Sequence, residues 1–200
     1  MLKIGLTGSI AVGKSFVCEC LRELGCHVLD ADLTSRQVVE KGTDGLAEIV
    51  DKFGEEILRP DGELDRKKMG SFVFADEEKR QLLNSIVHPR VFEAQDKWLR
   101  EVEKLDPNGI AVIDAALMIE SGGYKRFDKI IVVWCEPEIQ LQRLMARDNL
   151  TGDAAQMRIW AQMPQDEKKC FAHHLIDTSN GFDDTRRQVQ RLVAELKKAS

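Results

Sequence analysis

The stretch GSIAVGKS at residues 8–15 has two glycines separated by four residues, the second followed by lysine and serine. Residues 3–7 before it have the apolar pattern of a short buried strand, and residues 14–24 after it have the pattern of a helix. Between a strand and a helix, the backbone N–H groups of such a stretch can converge on phosphate oxygens, and the helix N-terminus adds partial positive charge. The alternative is a glycine-rich turn that carries a surface lysine. In this context the pattern predicts a phosphate-binding loop.

The residue types in this loop suit a nucleoside triphosphate with its metal ion. Glycine at positions 8 and 13 permits dihedral angles and a close backbone approach that a Cβ atom would block. Lys14 can reach the β- and γ-phosphates, and the hydroxyl group of Ser15 can hold Mg²⁺. We therefore predict ATP and Mg²⁺ as cofactors, bound by the loop residues Gly8, Ala11, Val12, Gly13, Lys14, Ser15 and Phe16.

Further short apolar runs follow the loop and are separated by helical patterns. Runs of this kind, apolar without interruption, indicate a parallel sheet that is covered on both faces. We predict an α/β protein with the three-layer P-loop NTPase fold and a parallel central sheet of about five strands. Besides the strand before the loop, the strand candidates are residues 27–30, 110–113, 129–134 and 175–176.

Two helical stretches lie between the predicted strands of a single domain that spans residues 1–200. We expect about residues 33–107 to form a helical substrate-binding insertion, with a bend or a boundary at His88-Pro89, because proline disfavours helical dihedral angles in the residue before it. We expect about residues 143–173, which carry several arginines and lysines, to form two or three short helices that close as a small lid. The helix patterns within the first insertion are residues 44–53, 65–74 and 77–104.

Composition and charge limit the partners that the chain can have. A formal net charge of −5 argues against a protein that binds the nucleic-acid backbone, which requires a basic face. No apolar run reaches the roughly 20 residues that span a bilayer, and no signal-peptide pattern is present, so we expect a cytoplasmic protein without a membrane partner. The sequence predicts no particular oligomeric state. Reduced thiols, rather than a zinc site or disulfides, are expected for Cys18, Cys20, Cys26, Cys135 and Cys170, which form no CxxC pair.

Acidic residues follow the second and third predicted strands, and ligands of open α/β sheets lie beyond the carboxyl ends of the strands. Asp114 resembles the acidic position that supports Mg²⁺ in P-loop enzymes, with a helix cap as the alternative. Asp32, in the Asp30-Ala-Asp32 element, can orient an acceptor hydroxyl group and take its proton. Asp32 also suits the N-cap of the following helix, and both roles can coexist.

Arg143 and Arg147 are four residues apart, which places them on one face of a helix that is expected to start near Pro137. Cationic groups brought by a closing lid stabilise the charge that builds on a transferring phosphoryl group. We therefore predict that Arg143 has a catalytic role and that Arg147 contributes to ATP binding. The alternative is an exposed, charged helix face.

These segments together resemble the dephospho-coenzyme A kinase family, and the resemblance covers almost the whole chain. The phosphate loop is shared by many NTPases, whereas D-A-D, L-D-R and H-P elements in this order are much more specific to this family. The family usually has more glycine in the loop, and Ser9 and Ala11 stand at two of those positions here. The matching segments are residues 6–15, 28–32, 36–39 with Gly42, 62–66, 73–74, 86–89, 140–148 and 177–181.

The resemblance implies roles for individual residues. Asp32 would be the catalytic base, and Lys14 and Arg143 would stabilise the phosphate. The pocket for dephospho-coenzyme A would include Asp32 and three residues of the helical insertion, namely Arg36, Arg66 and His88. A buried structural histidine remains an equal alternative for His88 alone. The residues expected near the adenine are Asn180 and Gly181.

The resemblance also implies a reaction, which is the ATP-dependent phosphorylation of the ribose 3′-hydroxyl of dephospho-coenzyme A. This is the last step of coenzyme A biosynthesis. We expect direct, in-line transfer, since no residue pattern indicates a covalent phosphoenzyme. Two alternatives stay open, namely another small-acceptor kinase that acts on nucleosides or nucleotides, and a nucleotide-binding protein without turnover.

Overall fold

A central sheet organises the computed structural model, which describes residues 1–74 and 76–199. Within these residues the sheet has five strands in the order β2-β3-β1-β4-β5, and all neighbouring strands are parallel. The predicted parallel sheet of about five strands is therefore confirmed. The strands are β1 (Leu2–Thr7), β2 (His27–Asp30), β3 (Ile110–Asp114), β4 (Lys129–Trp134) and β5 (His174–Asp177).

The helices occupy the connections between the strands. Their bounds are α1 (Lys14–Glu23), α2 (Ala31–Gln37), α3 (Asp44–Phe53), α4 (Arg66–Phe74), α5 (Glu77–Leu105), α6 (Pro137–Asp148), α7 (Gly152–Trp160), α8 (Gln165–Lys169) and α9 (Phe182–Ala199). Short 3-10 helices lie at Glu55–Ile57 and Gly123–Arg126. No helix in the described ranges is long and apolar enough to cross a membrane.

The strands are apolar throughout because the middle of the sheet is covered. All five residues of β3 are buried, and so are the four residues Ile130 to Val133 of β4. Helices α1 and α9 pack on the sheet and on each other through apolar side chains that belong to the same core cluster. This burial holds the carboxyl end of β1, where the loop begins, in a fixed place. The core side chains include Ile4, Leu6, Val17, Leu21, Val112, Ile131, Val189 and Val193.

The chain divides into two compact units. One contains residues 1–30 together with the chain from Val102 onward, and it holds the sheet. The other is Ala31–Glu101, in which α2, α3, α4 and most of α5 surround a separate apolar core. The functional bounds of an insertion at residues 33–107 and of a lid at residues 143–173 stay predictions. The core of the second unit includes Leu46, Ile49, Ile57, Met69 and Ile86.

A helix boundary at His88-Pro89 was one of the two expected outcomes, and it is wrong, because α5 continues through Pro89. Proline lacks the N–H group that would bond four residues back, so Pro89 gives the Ser85 carbonyl no helical hydrogen bond. The Arg90 side chain bonds the next carbonyl of the helix, since its Nη1 donates to the Ile86 carbonyl at 2.8 Å. Its Nη2 donates to Glu48 Oε2 at 2.6 Å, which fixes the guanidinium group in place. These two hydrogen bonds join the turn that contains Pro89 to α3.

Candidate active site

The phosphate loop runs from the end of β1 to the start of α1, as predicted. The structure explains why each of its two motif positions is a glycine. A Cβ atom on Gly8 would lie 2.5 Å from the carbonyl oxygen of Val133, which leaves no room for a side chain. Gly13 has a φ of +86° and is the N-cap of α1. Only glycine adopts this conformation without a steric cost. The first N–H groups of α1, which have no partner within the helix, open onto this loop.

Asp114, at the end of β3, is bound by two side chains of α1. Its Oδ1 forms an ion pair with Lys14 Nζ, and the two side chains are only 11% and 17% exposed. Its Oδ2 accepts a hydrogen bond from the Cys18 thiol at 3.3 Å. Burial, and then the neighbouring Asp114 carboxylate, raise the pKa of Cys18 to about 12, so this thiol stays protonated and keeps donating. The structure therefore brings Lys14 and Asp114 together beside the loop.

The side chains of Ser15 and Asp114 have oxygen atoms that suit Mg²⁺. Ser15 is exposed in the first turn of α1, on the helix whose Lys14 and Cys18 contact Asp114. A hydroxyl and a carboxylate are the hard oxygen donors that Mg²⁺ prefers, and the ion usually takes its remaining ligands from water and substrate phosphates. Within the part of the chain that the structure describes, no group of three or more His, Cys, Asp or Glu side chains could hold a metal.

Arg143 lies beside the phosphate loop and is already hydrogen-bonded. Its Nη1 donates to Thr178 Oγ1 at 2.8 Å, and its Nη2 donates to the Thr178 carbonyl at 2.7 Å. The Thr178 hydroxyl in turn donates to the Val12 carbonyl at 2.7 Å. Thr178 thus joins the arginine to the loop. Reasoning from the sequence missed this threonine, although it lies within the matching segment at residues 177–181.

Arg147 has different surroundings from Arg143. It is exposed, and its Nε donates to Asp148 Oδ1 at 2.8 Å. Arg158 Nη1 donates to Asp148 Oδ2 at 2.7 Å. The hydrogen bond from Arg147, followed by the charges of both arginines, holds the pKa of Asp148 below its usual value. Among the described residues, the hydrogen-bond partners of Arg143 and Arg147 are different.

An apolar cavity of about 270 Å³ opens next to the loop. Two of its walls are Phe16 and Phe182, whose rings meet edge to face with centroids 4.7 Å apart. Phe182 is 71% exposed, which leaves its ring available to a flat ligand. Gly181 lines this cavity, whereas Asn180 is exposed and is not among the lining residues. The other lining residues are Gly13, Arg143, Thr178 and Thr185.

The predicted acceptor-binding residues all lie in the unit Ala31–Glu101. Asp32 is exposed in the first turn of α2, where a carboxylate is favourable to the helix dipole. Arg66 Nη2 donates to the Arg36 carbonyl at 3.1 Å, so these two residues are close together. His88 is exposed on α5, with its ring centroid 6.2 Å from that of Phe92, and it is not a buried histidine.

A family model described as dephospho-CoA kinase matches residues 2–184 of the chain. The chain belongs to this family. A dephospho-CoA kinase of Listeria innocua is 48% identical over 95% of this chain and 94% of its own length. A dephospho-CoA kinase domain-containing protein of Danio rerio is 44% identical over 98% of this chain and 86% of its own. The family resemblance predicted from the sequence is confirmed.

Solved structures agree with the family assignment. The dephospho-CoA kinase from Campylobacter jejuni superimposes with a TM-score of 0.72 at 30% identity, covering 98% of both chains. A shikimate kinase from Acinetobacter baumannii has a TM-score of 0.55 at 18% identity, over 100% of this chain and 95% of its own, which shows a shared fold alone. The predicted three-layer P-loop fold of this family member is therefore confirmed.

A buried lysine of this family member was not singled out from the sequence. Lys168, in α8, is fully buried and pairs with Glu120 Oε1 at 2.8 Å. Its Nζ also donates to the Ala116 carbonyl at 2.9 Å, which accepts a second hydrogen bond from Thr7 Oγ1 at 3.2 Å. A buried charge persists only when it is paired and hydrogen-bonded. These bonds hold the segment that follows Asp114 against the end of β1.

Proposed function

We propose that the chain transfers the γ-phosphoryl group of ATP to the ribose 3′-hydroxyl of dephospho-CoA, giving CoA and ADP. The observation that carries the proposal is the phosphate loop with Lys14 paired to Asp114, in a chain that relatives named dephospho-CoA kinase match over nearly its whole length. The loop supports the reaction class, and the full-length match supports the acceptor.

The free thiols of all five cysteines suit a cytoplasmic enzyme, because that compartment keeps thiols reduced.

ATP is held by the loop and by α1 in this proposal. The backbone N–H groups around Gly13 and the N-terminus of α1 donate to the phosphate oxygens. Lys14 exchanges its ion pair with Asp114 for the β- and γ-phosphates. The base occupies the apolar cavity beside Phe16 and Phe182, since a flat ring and two aromatic side chains exclude water from one another.

The transfer itself is a direct displacement. Asp32 accepts the proton of the 3′-hydroxyl, whose oxygen forms a bond to the γ-phosphorus while the bond to the β,γ-bridging oxygen of ATP breaks. Arg143 adds positive charge beside the transferring group, and Arg147 contributes to ATP binding as the lid at residues 143–173 closes. The acceptor is held by Arg36, Arg66 and His88. These residue roles are proposals that follow from the family resemblance.

Mg²⁺ accompanies ATP in this proposal. Ser15 and Asp114 would hold it, and the ion would neutralise part of the negative charge on the β- and γ-phosphates. Asp114 keeps the Cys18 thiol as a donor when Lys14 moves to the phosphates, because that thiol stays protonated.

The direct test is to incubate the purified protein with ATP, Mg²⁺ and dephospho-CoA and to weigh the products. We expect CoA, with one phosphoryl group added to the ribose 3′ position. The same assay with nucleosides and nucleotides as acceptors separates the main alternative. If those acceptors are phosphorylated and dephospho-CoA is not, the proposed substrate is wrong. If the protein binds ATP but transfers no phosphoryl group to any acceptor, the assignment as an enzyme is wrong.

A further inference from the structure

Ala11, in the middle of the phosphate loop, has a φ of +60°. A left-handed conformation is unfavourable for alanine, because its Cβ atom crowds the following carbonyl oxygen. A residue in such a conformation persists only when its surroundings hold it there. The contacts of the neighbouring peptide groups therefore decide the shape of the loop.

Two glutamine side chains that are distant in sequence hold the peptide groups before Ala11. The N–H group of Ile10 donates to Gln162 Oε1 at 2.8 Å. The carbonyl group of Ile10 accepts from Gln140 Nε2, also at 2.8 Å. After Ala11, the Val12 carbonyl accepts from the Thr178 hydroxyl. The peptide group before Ala11 is therefore held directly, and the chain is held again at the Val12 carbonyl one residue later, which restricts the freedom of Ala11 to leave its left-handed conformation.

The orientation of Gln140 follows from a chain of bonds. Gln165 is held by both backbone groups of Cys135, whose N–H donates to Gln165 Oε1 and whose carbonyl accepts from Gln165 Nε2. Gln165 Nε2 also donates to Gln140 Oε1 at 2.9 Å. The other end of the Gln140 amide, its Nε2, must then face Ile10. Gln140 is only 2% exposed, so water does not compete for these bonds.

We propose that Gln140 and Gln162, here called the glutamine clamp, are positioning residues that keep the phosphate loop in the conformation that binds phosphate. They act on Ile10 and, through it, on Ala11. Gln140 lies on α6, and Gln162 follows α7 in the predicted lid. The clamp therefore makes the shape of the loop depend on the segment at residues 140–165. The effect on phosphoryl transfer rests on the proposed function, whereas the effect on ATP binding does not.

The clamp acts through preorganisation. Without it, Ala11 relaxes towards negative φ, and ATP must restore the left-handed conformation each time it binds. The apparent affinity for ATP is then the intrinsic affinity multiplied by the fraction of molecules whose loop is in the binding conformation. Glycine at position 11 adopts a left-handed conformation at no steric cost, so it removes the need for the clamp. The effect of losing the clamp therefore depends on which residue stands at position 11.

The experiment is a double-mutant cycle that combines Gln162→Met with Ala11→Gly in the full chain, with the Kd for ATP measured by calorimetry. Gln162→Met is expected to weaken ATP binding about tenfold, the effect of losing one hydrogen bond to a loop peptide group. In the Ala11→Gly background the same change is expected to weaken binding less than about threefold, because the two sites are coupled. Gln140→Met is a second variant of the clamp and is expected to follow the same pattern.

Gln142→Met is the matched control, since it makes the same substitution at an exposed position of α6 and is expected to leave the Kd for ATP unchanged. An unchanged Kd for Gln162→Met, or an equal loss in both backgrounds, would overturn the clamp. The KM for dephospho-CoA is expected to stay the same in every variant, and a rise equal to that for ATP would show general damage instead. If ATP binding follows the predicted pattern but the wild-type chain does not phosphorylate dephospho-CoA, the clamp stands and the proposed function fails.

Discussion

Lys14 and Asp114 form an ion pair, which Lys14 would leave for the phosphates in the proposed ATP complex. Both side chains are largely buried, so each depends on the other for compensation of its charge. The phosphates supply new negative charge for Lys14, and Asp114 retains the hydrogen bond from Cys18. In the free protein each of these charges therefore has a partner, and in the proposed ATP complex each would still have one.

Asp32 is the residue on which the proposed chemistry most depends. Replacing it by asparagine keeps the size of the side chain but removes the proton acceptor. We expect Asp32→Asn to leave the Kd for ATP within about twofold and to lower the rate of phosphoryl transfer by about 10²- to 10⁴-fold. Single-turnover transfer from labelled ATP to dephospho-CoA measures the chemical step, and calorimetry measures the Kd.

The control for this variant is Asp153→Asn, because Asp153 is also an exposed aspartate in the first turn of a helix, α7. It reproduces the loss of a favourable charge at a helix N-terminus without touching the proposed base. If the Asp32→Asn variant transfers the phosphoryl group as fast as the Asp153→Asn control, Asp32 is not the catalytic base.

The sequence predicts some of these residues and not others for a physical reason. The roles of Gly8, Gly13 and Lys14 depend on a contiguous motif, which is visible in the chain itself. Thr178 and Gln162 act on the loop across 166 and 152 residues of sequence, respectively. No local pattern marks a side chain whose partner is a backbone group so far away. These contacts could be found only when the fold was known.

Helix α5 shows how a distant side chain can overrule a local rule. The rule that proline disturbs the residues before it is sound, but Arg90 supplies a donor to the Ile86 carbonyl and is fixed by Glu48 on α3. The strands β2 and β4, in contrast, have the predicted bounds. The apolar run of β4 matches the burial of Ile130 to Val133, whereas β2 is only partly buried. The pattern of residue types along a strand is visible in the sequence, whereas the contact between Arg90 and Glu48 is a tertiary one.

Arg90→Met tests this interpretation of α5. The variant keeps most of the apolar stem but removes both hydrogen bonds, and we expect the free energy of unfolding to fall by about 1–3 kcal/mol. The partial exposure of Glu48 keeps the electrostatic share of this loss small. Urea denaturation, followed by circular dichroism, measures the change.

Arg100→Met provides the comparison, since Arg100 is an exposed arginine on the same helix. A surface substitution of this kind is expected to change the free energy of unfolding by less than about 0.5 kcal/mol. If Arg90→Met is no more destabilising than Arg100→Met, the hydrogen bonds of Arg90 do not stabilise the turn that contains Pro89.

The reactivity of the five cysteines depends on how the whole protein packs around them. Cys170 is exposed, whereas the other four are buried. Burial raises the pKa of Cys26 to about 11, and burial with the Asp114 carboxylate raises that of Cys18 to about 12. A thiol whose pKa is raised carries little thiolate below that pKa, and the thiolate is the reactive form. Both burial and protonation therefore protect these four groups.

We expect one thiol of the native protein to react rapidly with a disulfide reagent at pH 8, and the other four to react only as the protein unfolds. Cys170→Ser should abolish the rapid phase alone. Rapid reaction of more than one thiol in the native state would contradict the buried positions.

The strand order also has a consequence for how the protein is made. In the native order, β1 pairs with β3 and β4, and β2 pairs with β3. The ribosome synthesises the GSIAVGKS stretch before either strand that pairs with β1, because the first of these strands, β3, begins only at Ile110. The nascent polypeptide therefore carries its nucleotide motif after an unpaired strand until β3 has been synthesised, and we expect no native-like nucleotide binding before then.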